Sequence, residues 1–131
     1  MSLNAYRRTI REVATPRETE RQILSRLNGR LFPMIGAFDT ADKIDRLRML
    51  SEGLRDALAD NLKFWMVIRL DLISPSNQLP PALRADLISI SSFVERHTAA
   101  ILGGRGDLKP LVDMNDSIIG GLSGQATGVG S

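Results

Sequence analysis

The sequence predicts an all-α protein, a single-domain helical bundle of about four helices with one long central helix. Apolar residues recur at steps of three and four positions through most of the chain, whereas the alternation typical of strands is almost absent. The length of 131 residues fits one domain. Gly and Pro stand between the helical patterns, where they end one helix and start the next.

The first clear helix start is Thr15-Pro16-Arg17-Glu18. Thr15 is a capping residue type, Pro16 suits a first turn, and Glu18 completes a capping box. We expect Pro33 and Gly36 to mark the end of this helix. Its apolar face is formed by Ile23, Leu24, Leu27 and Leu31. The preceding residues 2–14 allow either a short helix through Tyr6, Ile10 and Val13 or an extended arm.

The central helix is predicted to begin at Asp39 or Thr40, with Asp42 in its first turn, and to continue to Ser74. It would be about 33 residues long, or roughly 50 Å if straight. Gly53 is a candidate bend, because Gly costs about 1 kcal/mol in a helix interior. The predicted inner stripe consists of Ile44, Leu47, Leu50, Leu54, Leu58, Leu62, Trp65, Ile68 and Leu72.

A Pro-rich turn follows at 74–81, and the next helix is predicted from Ala82 to Leu102, stopped by Gly103-Gly104. Its inner face is formed by Leu83, Leu87, Ile90, Val94, His97 and Ile101, with Ile88 and Phe93 beside it. A last short helix covers about 109–119. Residues 120–131 are rich in Gly, Ser, Ala and Thr. We therefore assign 1–122 to the bundle domain and 123–131 to a flexible tail.

The residue types give no pattern for catalysis, a metal ion or a cofactor. The chain has no Cys and His97 is its single His, so no zinc site can be built. With one His and no nucleophile elbow, we propose no Ser-His-Asp arrangement. We interpret His97 as a packed, hydrogen-bonded residue. The Gly-rich segment 103–106 follows a helix and lacks the Lys and Ser/Thr of a phosphate-binding loop. We expect a protein that is not an enzyme, with no catalytic or metal-binding residues.

Charge and hydropathy indicate in which compartment the protein is expected. The longest apolar run is far shorter than the roughly 18 residues of a membrane span, and the first residues lack the apolar centre of a signal peptide. We expect a cytoplasmic protein without membrane insertion. The net charge is +2, but the first 30 residues carry seven Arg and three Glu. This excess allows an RNA-binding interpretation, and a solvated helix face explains the same interleaved charges.

The segment 58–73 is apolar almost all round a helix, whereas a surface helix keeps one polar face. Two compatible interpretations follow. In one, Trp65 anchors the helical core. In the other, some of Phe64, Val67 and Leu70 line an exposed groove for a partner helix. The candidate partner-binding residues are Tyr6, Asn61, Phe64, Trp65, Ile68 and Phe93.

Several segments taken together resemble a known family. They are the runs 58–65 and 77–80, the run 111–115 with Ile118-Ile119 and Gly121-Leu122 after it, the Ala5-Tyr6 pair and the start at 15–18. In order and spacing they resemble the flagellar biosynthesis regulator FlaF family, from about Ala5 to Leu122. The resemblance implies a non-enzymatic, cytoplasmic factor of flagellum assembly. It implies flagellin as a partner, bound as by a secretion chaperone, and joint action with the translational regulator FlbT.

Three hypotheses follow for the function. In the first, the protein binds flagellin and promotes its synthesis, so that its link to flagellin mRNA is indirect. In the second, it binds flagellin mRNA directly and regulates translation, which predicts strong salt dependence. In the third, the apolar groove closes a homodimer, since a homo-oligomer is compatible with the same apolar excess.

Overall fold

The computed structural model describes residues 14–124, and their side chains from 18 to 121. Over this range the chain is helical and contains no strand, which confirms the predicted all-α class. The helices are α1 (Ala14–Leu31), α2 (Ile35–Asp39), α3 (Lys43–Met49), α4 (Arg55–Leu72), α5 (Pro81–Leu102) and α6 (Leu108–Gly124). A 3-10 turn, Phe32–Met34, follows α1, and a kinked segment, Leu50–Leu54, joins α3 to α4.

Among the described helices, α1, α4, α5 and α6 pack together as a four-helix bundle. Hydrogen bonds join Asn28 of α1 to Val112 and Asp116, and Asp39 to the start of α6, so α1 and α6 are antiparallel. The α4 and α5 helices form a helical hairpin around the turn at 73–80. The shared core includes Leu24, Leu31, Phe38, Leu50, Leu58, Trp65, Val94, Ile101, Leu108 and Leu111.

The predicted central helix is divided at Gly53. This residue has φ +124°, and the preceding Glu52 has φ −94° and ψ 17°, so neither continues an α-helix. The candidate bend at Gly53 is therefore a break between α3 and α4. The inner-stripe assignment was wrong for Ile44 and Leu47, which are exposed, Ile44 by 79%. The break changes the rotational phase of the helix, so positions extrapolated back across it from α4 face solvent.

The start of α3 also differs from the prediction. The helix begins at Lys43, and Asp42 is its N-cap, with Oδ1 accepting a hydrogen bond of 2.8 Å from the Asp45 N–H. Asp39 instead accepts hydrogen bonds from the backbone N–H groups of Leu108 and Lys109, at 2.7 and 3.1 Å. Its carboxylate thus caps α6, a helix almost 70 residues further along the chain.

The other helix ends lie near their expected positions. The α1 helix begins at Ala14, so Thr15 lies inside its first turn rather than ahead of it. The α5 helix ends before Gly104, whose φ of +76° confirms the predicted left-handed stop. The α6 helix is longer than expected and continues to Gly124. The remainder of the predicted tail, 125–131, lies outside the described residues, as does Tyr6.

One end of the bundle is held by a buried arginine, which sequence reasoning did not select. Arg46 donates hydrogen bonds to the carbonyls of Asp39, Ala41 and Gly106 and to Oδ1 of Asp107, at 2.8 to 3.2 Å. Its guanidinium also lies 4.9 Å from the centre of the Phe38 ring. We call this group the Arg46 clamp. It ties the loop before α3 to the loop before α6.

Candidate partner-binding surface

One ridge of exposed residues runs along α4, and its side chains change from charged to apolar halfway along. Residues 56, 60, 63, 67 and 70 follow one another by four and three positions, so they share one side of the helix. All five are exposed. The first three are Asp56, Asp60 and Lys63, as expected of a solvated face, whereas the last two are Val67 and Leu70.

The apolar part of this ridge continues into the turn that follows. Val67, Leu70 and Ile73 are 58%, 66% and 59% exposed, and we call them the α4 apolar surface. The next residues, 74–78, are Ser, Pro, Ser, Asn and Gln, none of them charged. The turn side of the patch is therefore uncharged, whereas exposed Lys63 and Asp71 on α4 lie next to it. Because its three apolar side chains lie on successive turns rather than scattered singly, we take this patch as the candidate contact for another protein.

The opposite side of α4 is rigidly fixed in the core. The Trp65 Nε1–H donates to Asn115 Oδ1 at 3.0 Å. The Asn115 amide donates in turn to Oδ1 of Asn28 and of Asn61, at 3.1 and 2.9 Å. All four side chains are buried. This network joins α1, α4 and α6 and sets the rotation of α4, so it also sets which residues α4 presents to solvent.

A second polar contact holds α5 beside the α4 apolar surface. Arg69 Nε donates to Ser91 Oγ at 2.9 Å, and Nη1 pairs with Glu95 at 3.1 Å. Because Arg69 lies between Val67 and Leu70 in sequence but points to α5, the hairpin is fixed within one turn of the patch. The α4 apolar surface is therefore presented by a helix with its neighbours in place.

The residues predicted as partner contacts differ in how far they are buried. Asn61 and Trp65 are fully buried, in agreement with the interpretation of Trp65 as a core anchor. Phe64 and Ile68 are half-buried. Phe64 packs against the core and meets Trp65 edge to face at 6.2 Å between ring centres. Phe93 is half-buried on α5 and stacks on His97. Tyr6 lies outside the described residues, and whether any of the six contacts a partner stays a prediction.

Of the groove residues proposed with Phe64, two are exposed, Val67 and Leu70. They were not among the six selected positions, and Ile73 was also missed. Their exposure could have been found by counting along the helix from Asp56, a charged residue expected in solvent. Steps of four and three residues from Asp56 lead to Val67 and Leu70, so these two side chains lie on the same solvent-facing side.

The described side chains offer little for acid–base or metal chemistry. His97 Nε2 lies 2.7 Å from the Asp107 carbonyl oxygen, so the tautomer protonated at Nε2 donates there. The pKa of Lys109 is raised, chiefly by its hydrogen bond to Asp113, in an exposed pair at the start of α6. Among these residues no group of three or more His, Cys, Asp or Glu is arranged to hold a metal ion. None of the described helices is long and apolar enough to cross a membrane.

Comparison with known proteins identifies the family. Residues 2–122 match the family model described as flagellar protein FlaF, a family of flagellar proteins and not a known enzyme family. Neither the comparison with curated proteins nor the comparison with solved structures gave a match. The matched range includes all six helices except the last two residues of α6. The chain therefore belongs to the FlaF family of flagellar proteins.

Proposed function

We propose that this protein promotes flagellin synthesis and assembly by binding flagellin in the cytoplasm, as a secretion chaperone does. The observation that carries the proposal is the change from charged to apolar residues along the solvent ridge of α4, at Val67 and Leu70. Membership of a flagellar family limits the kind of partner that would cover such a patch.

The expected ligand is an amphipathic helix from an end of flagellin. Such a helix exposes an apolar face before it packs in the filament, and it would bury that face on the α4 apolar surface. The three exposed side chains form a small patch. A small contact suits a chaperone, because bound flagellin must be released for export, and ordering a flexible end on binding lowers the net affinity further.

Regulation of translation would then be indirect. In this proposal, free and flagellin-bound protein differ in their interaction with the translational regulator FlbT, which links flagellin export to flagellin synthesis. Adding purified FlbT to the complex measures this link, and an unchanged flagellin affinity would exclude it.

Direct binding to flagellin mRNA is the alternative. This alternative depends on the arginines near the N-terminus. Within the described part of α1, one of them, Arg30, is already paired with Asp60 at 2.7 Å. An RNA interface also needs clustered basic side chains, because affinity comes mostly from neutralised phosphates. Recovery of flagellin mRNA from cells without flagellin, lost after RNase treatment, would favour this alternative.

The test uses purified flagellin and two double variants of the full chain. Val67→Ser with Leu70→Ser removes the α4 apolar surface, and Asp56→Ser with Ala59→Ser changes exposed residues earlier on the same helix. We expect the first to weaken flagellin binding at least tenfold and the second less than twofold, measured by calorimetry. Absence of binding by the unmodified protein, or equal binding by both variants, would reject the proposal.

A further inference from the structure

The first turns of α5 are less buried than the rest of the same helix face. Residues 83, 87, 91, 94, 98 and 101 follow one another by three or four positions, so they share one side of α5. The last four are buried, whereas the first two, Leu83 and Leu87, are only half-buried. We call Leu83 and Leu87 the α5 end pair. They are large apolar side chains at core-facing positions that are incompletely covered.

The α5 end pair lies at the end of the bundle where α1 begins. The α4 and α6 helices are each joined to α5 by a short turn, and α1 is antiparallel to α6, so α1 is also antiparallel to α4. Arg30 of α1 pairs with Asp60 of α4. Counting back from Arg30 to Ala14, and equally far forward from Asp60, reaches about position 76. Residues 2–13 are therefore attached just beyond the end of α4.

The start of α5 projects past the described ends of the two helices on the other sides of the bundle. Arg69 of α4 donates to Ser91 of α5, so Leu83, at the same count from Ser91, is level with about position 77 on the extended α4 axis. The described part of α1 starts at about level 76. By the same count from the hydrogen bond of Trp65 with Asn115, α6 ends at about level 74. Among the described residues, no helix lies opposite Leu83.

Two segments of the chain lie outside the described residues, and they differ in apolar content. Residues 125–131 read Gln-Ala-Thr-Gly-Val-Gly-Ser. Residues 2–13 contain Leu3, Tyr6, Ile10 and Val13, at steps of three, four and three. This spacing is typical of a segment that packs one helical face on a core. The family match begins at residue 2, so residues 2–13 belong to the same matched unit as the helices.

Reach and attachment also favour residues 2–13 as the occupant. The α1 and α5 helices each pack on α4 and α6, so they face each other diagonally across the bundle. With neighbouring helices 8 to 10 Å apart, this diagonal is about 11 to 14 Å. From Ala14 to Tyr6 the chain spans about 12 Å as a helix and about 26 Å when extended. A segment attached this close has an effective concentration in roughly the millimolar range, so a small apolar contact is enough to hold it.

We propose that residues 2–13 cross the end of the bundle and pack Ile10 and Val13 on the α5 end pair of the same chain. The segment completes the core at the end where the described parts of α1 and α6 stop short of α5. The proposal does not depend on flagellin binding, because Leu83 and Leu87 lie on the core-facing side of α5, whereas the α4 apolar surface lies on an exposed ridge of α4.

A double-mutant cycle on the full chain tests the contact, with urea unfolding followed by Trp65 fluorescence. Ile10→Ala and Leu83→Ala should each raise the unfolding equilibrium constant about tenfold. Because both remove the same contact, the double variant should fall short of the product of the two effects by about threefold or more. Ile10→Ala combined with Ile44→Ala is the control, since Ile44 is 79% exposed on α3 at the opposite end, and these two effects should multiply. Effects that multiply in both pairs, or an Ile10→Ala chain as stable as the unmodified one, overturn the proposal.

Cross-linking shows which chain supplies the segment. The chain contains no Cys, so cysteines can be introduced in pairs. A short bis-maleimide should link Thr9→Cys to Asp86→Cys, an exposed position one turn from Leu83, within a single chain of 14.4 kDa. Thr9→Cys with Ile44→Cys should not be linked. Linked pairs of chains that disappear on dilution would assign the segment to a second copy and overturn the proposal. If neither pair is linked and Leu83→Ala instead weakens flagellin binding, the α5 end pair belongs to flagellin and the proposal is wrong.

Discussion

At one end of the bundle a buried arginine satisfies three carbonyls and a carboxylate; at the other, Val67, Leu70 and Ile73 stand in solvent with only uncharged residues after them. The first arrangement uses polar groups to fix two loops, and each of those groups costs free energy if it loses its partner. The second leaves apolar area that no described residue covers. The Arg46 end also exposes two apolar side chains, Phe32 and Ile44, so the two ends differ in the polar clamp at one and in the grouping of Val67, Leu70 and Ile73 on successive turns at the other.

The largest expected effect is at the Arg46 clamp. Arg46→Ala leaves the carbonyls of Asp39, Ala41 and Gly106 without their donor and should lower the free energy of unfolding by about 3 to 4 kcal/mol. Arg48→Ala, two residues away, removes only exposed ion pairs and should cost less than about 1 kcal/mol.

Urea unfolding followed by the fluorescence of Trp65, the single and buried Trp, measures both variants. Similar losses for Arg46→Ala and Arg48→Ala would show that the clamp does not stabilise this end.

The second prediction compares two leucines of α4 at the opposite end of the bundle. Leu70 and Leu72 occupy the same turn of α4, but Leu70 is exposed and Leu72 is fully buried. Leu72→Ala should cost about 2 to 3 kcal/mol of unfolding free energy, and Leu70→Ala should change it by less than about 0.5 kcal/mol. Flagellin binding should show the reverse order, with the folded Leu72→Ala chain binding normally.

Chemical denaturation and calorimetry on the same two proteins decide this point. If Leu70→Ala destabilises the chain as much as Leu72→Ala, Leu70 belongs to the core and the α4 apolar surface is not available to a partner.

These pairs also show what the sequence could predict. The three-and-four spacing of apolar residues identified the helices, and it placed Trp65 and Leu72 inside correctly. It failed for Ile44 and Leu47 because spacing carries no information about a break in rotational phase at Gly53. It also did not identify Arg46 as buried, since that depends on backbone carbonyls that include one 60 residues away, on Gly106. The exposed part of α4 could have been predicted, because the spacing of its solvent-facing positions can be followed along the sequence from Asp56 onward.

The smallest effect concerns Gly53, whose backbone divides the central helix. Gly53→Ala meets no neighbouring atom, so any cost comes from φ +124° alone, and we expect a loss of about 1 to 2 kcal/mol. Gly29→Ala meets no neighbouring atom either, but it lies within α1, where Ala should add about 0.5 to 1 kcal/mol of stability. Opposite signs in urea unfolding would confirm that the break is a fixed feature of the backbone. A stabilising Gly53→Ala would mean that the segment readily becomes a continuous helix, and then the break between α3 and α4, with the exposure of Ile44 and Leu47 that follows from it, would not be fixed by the fold.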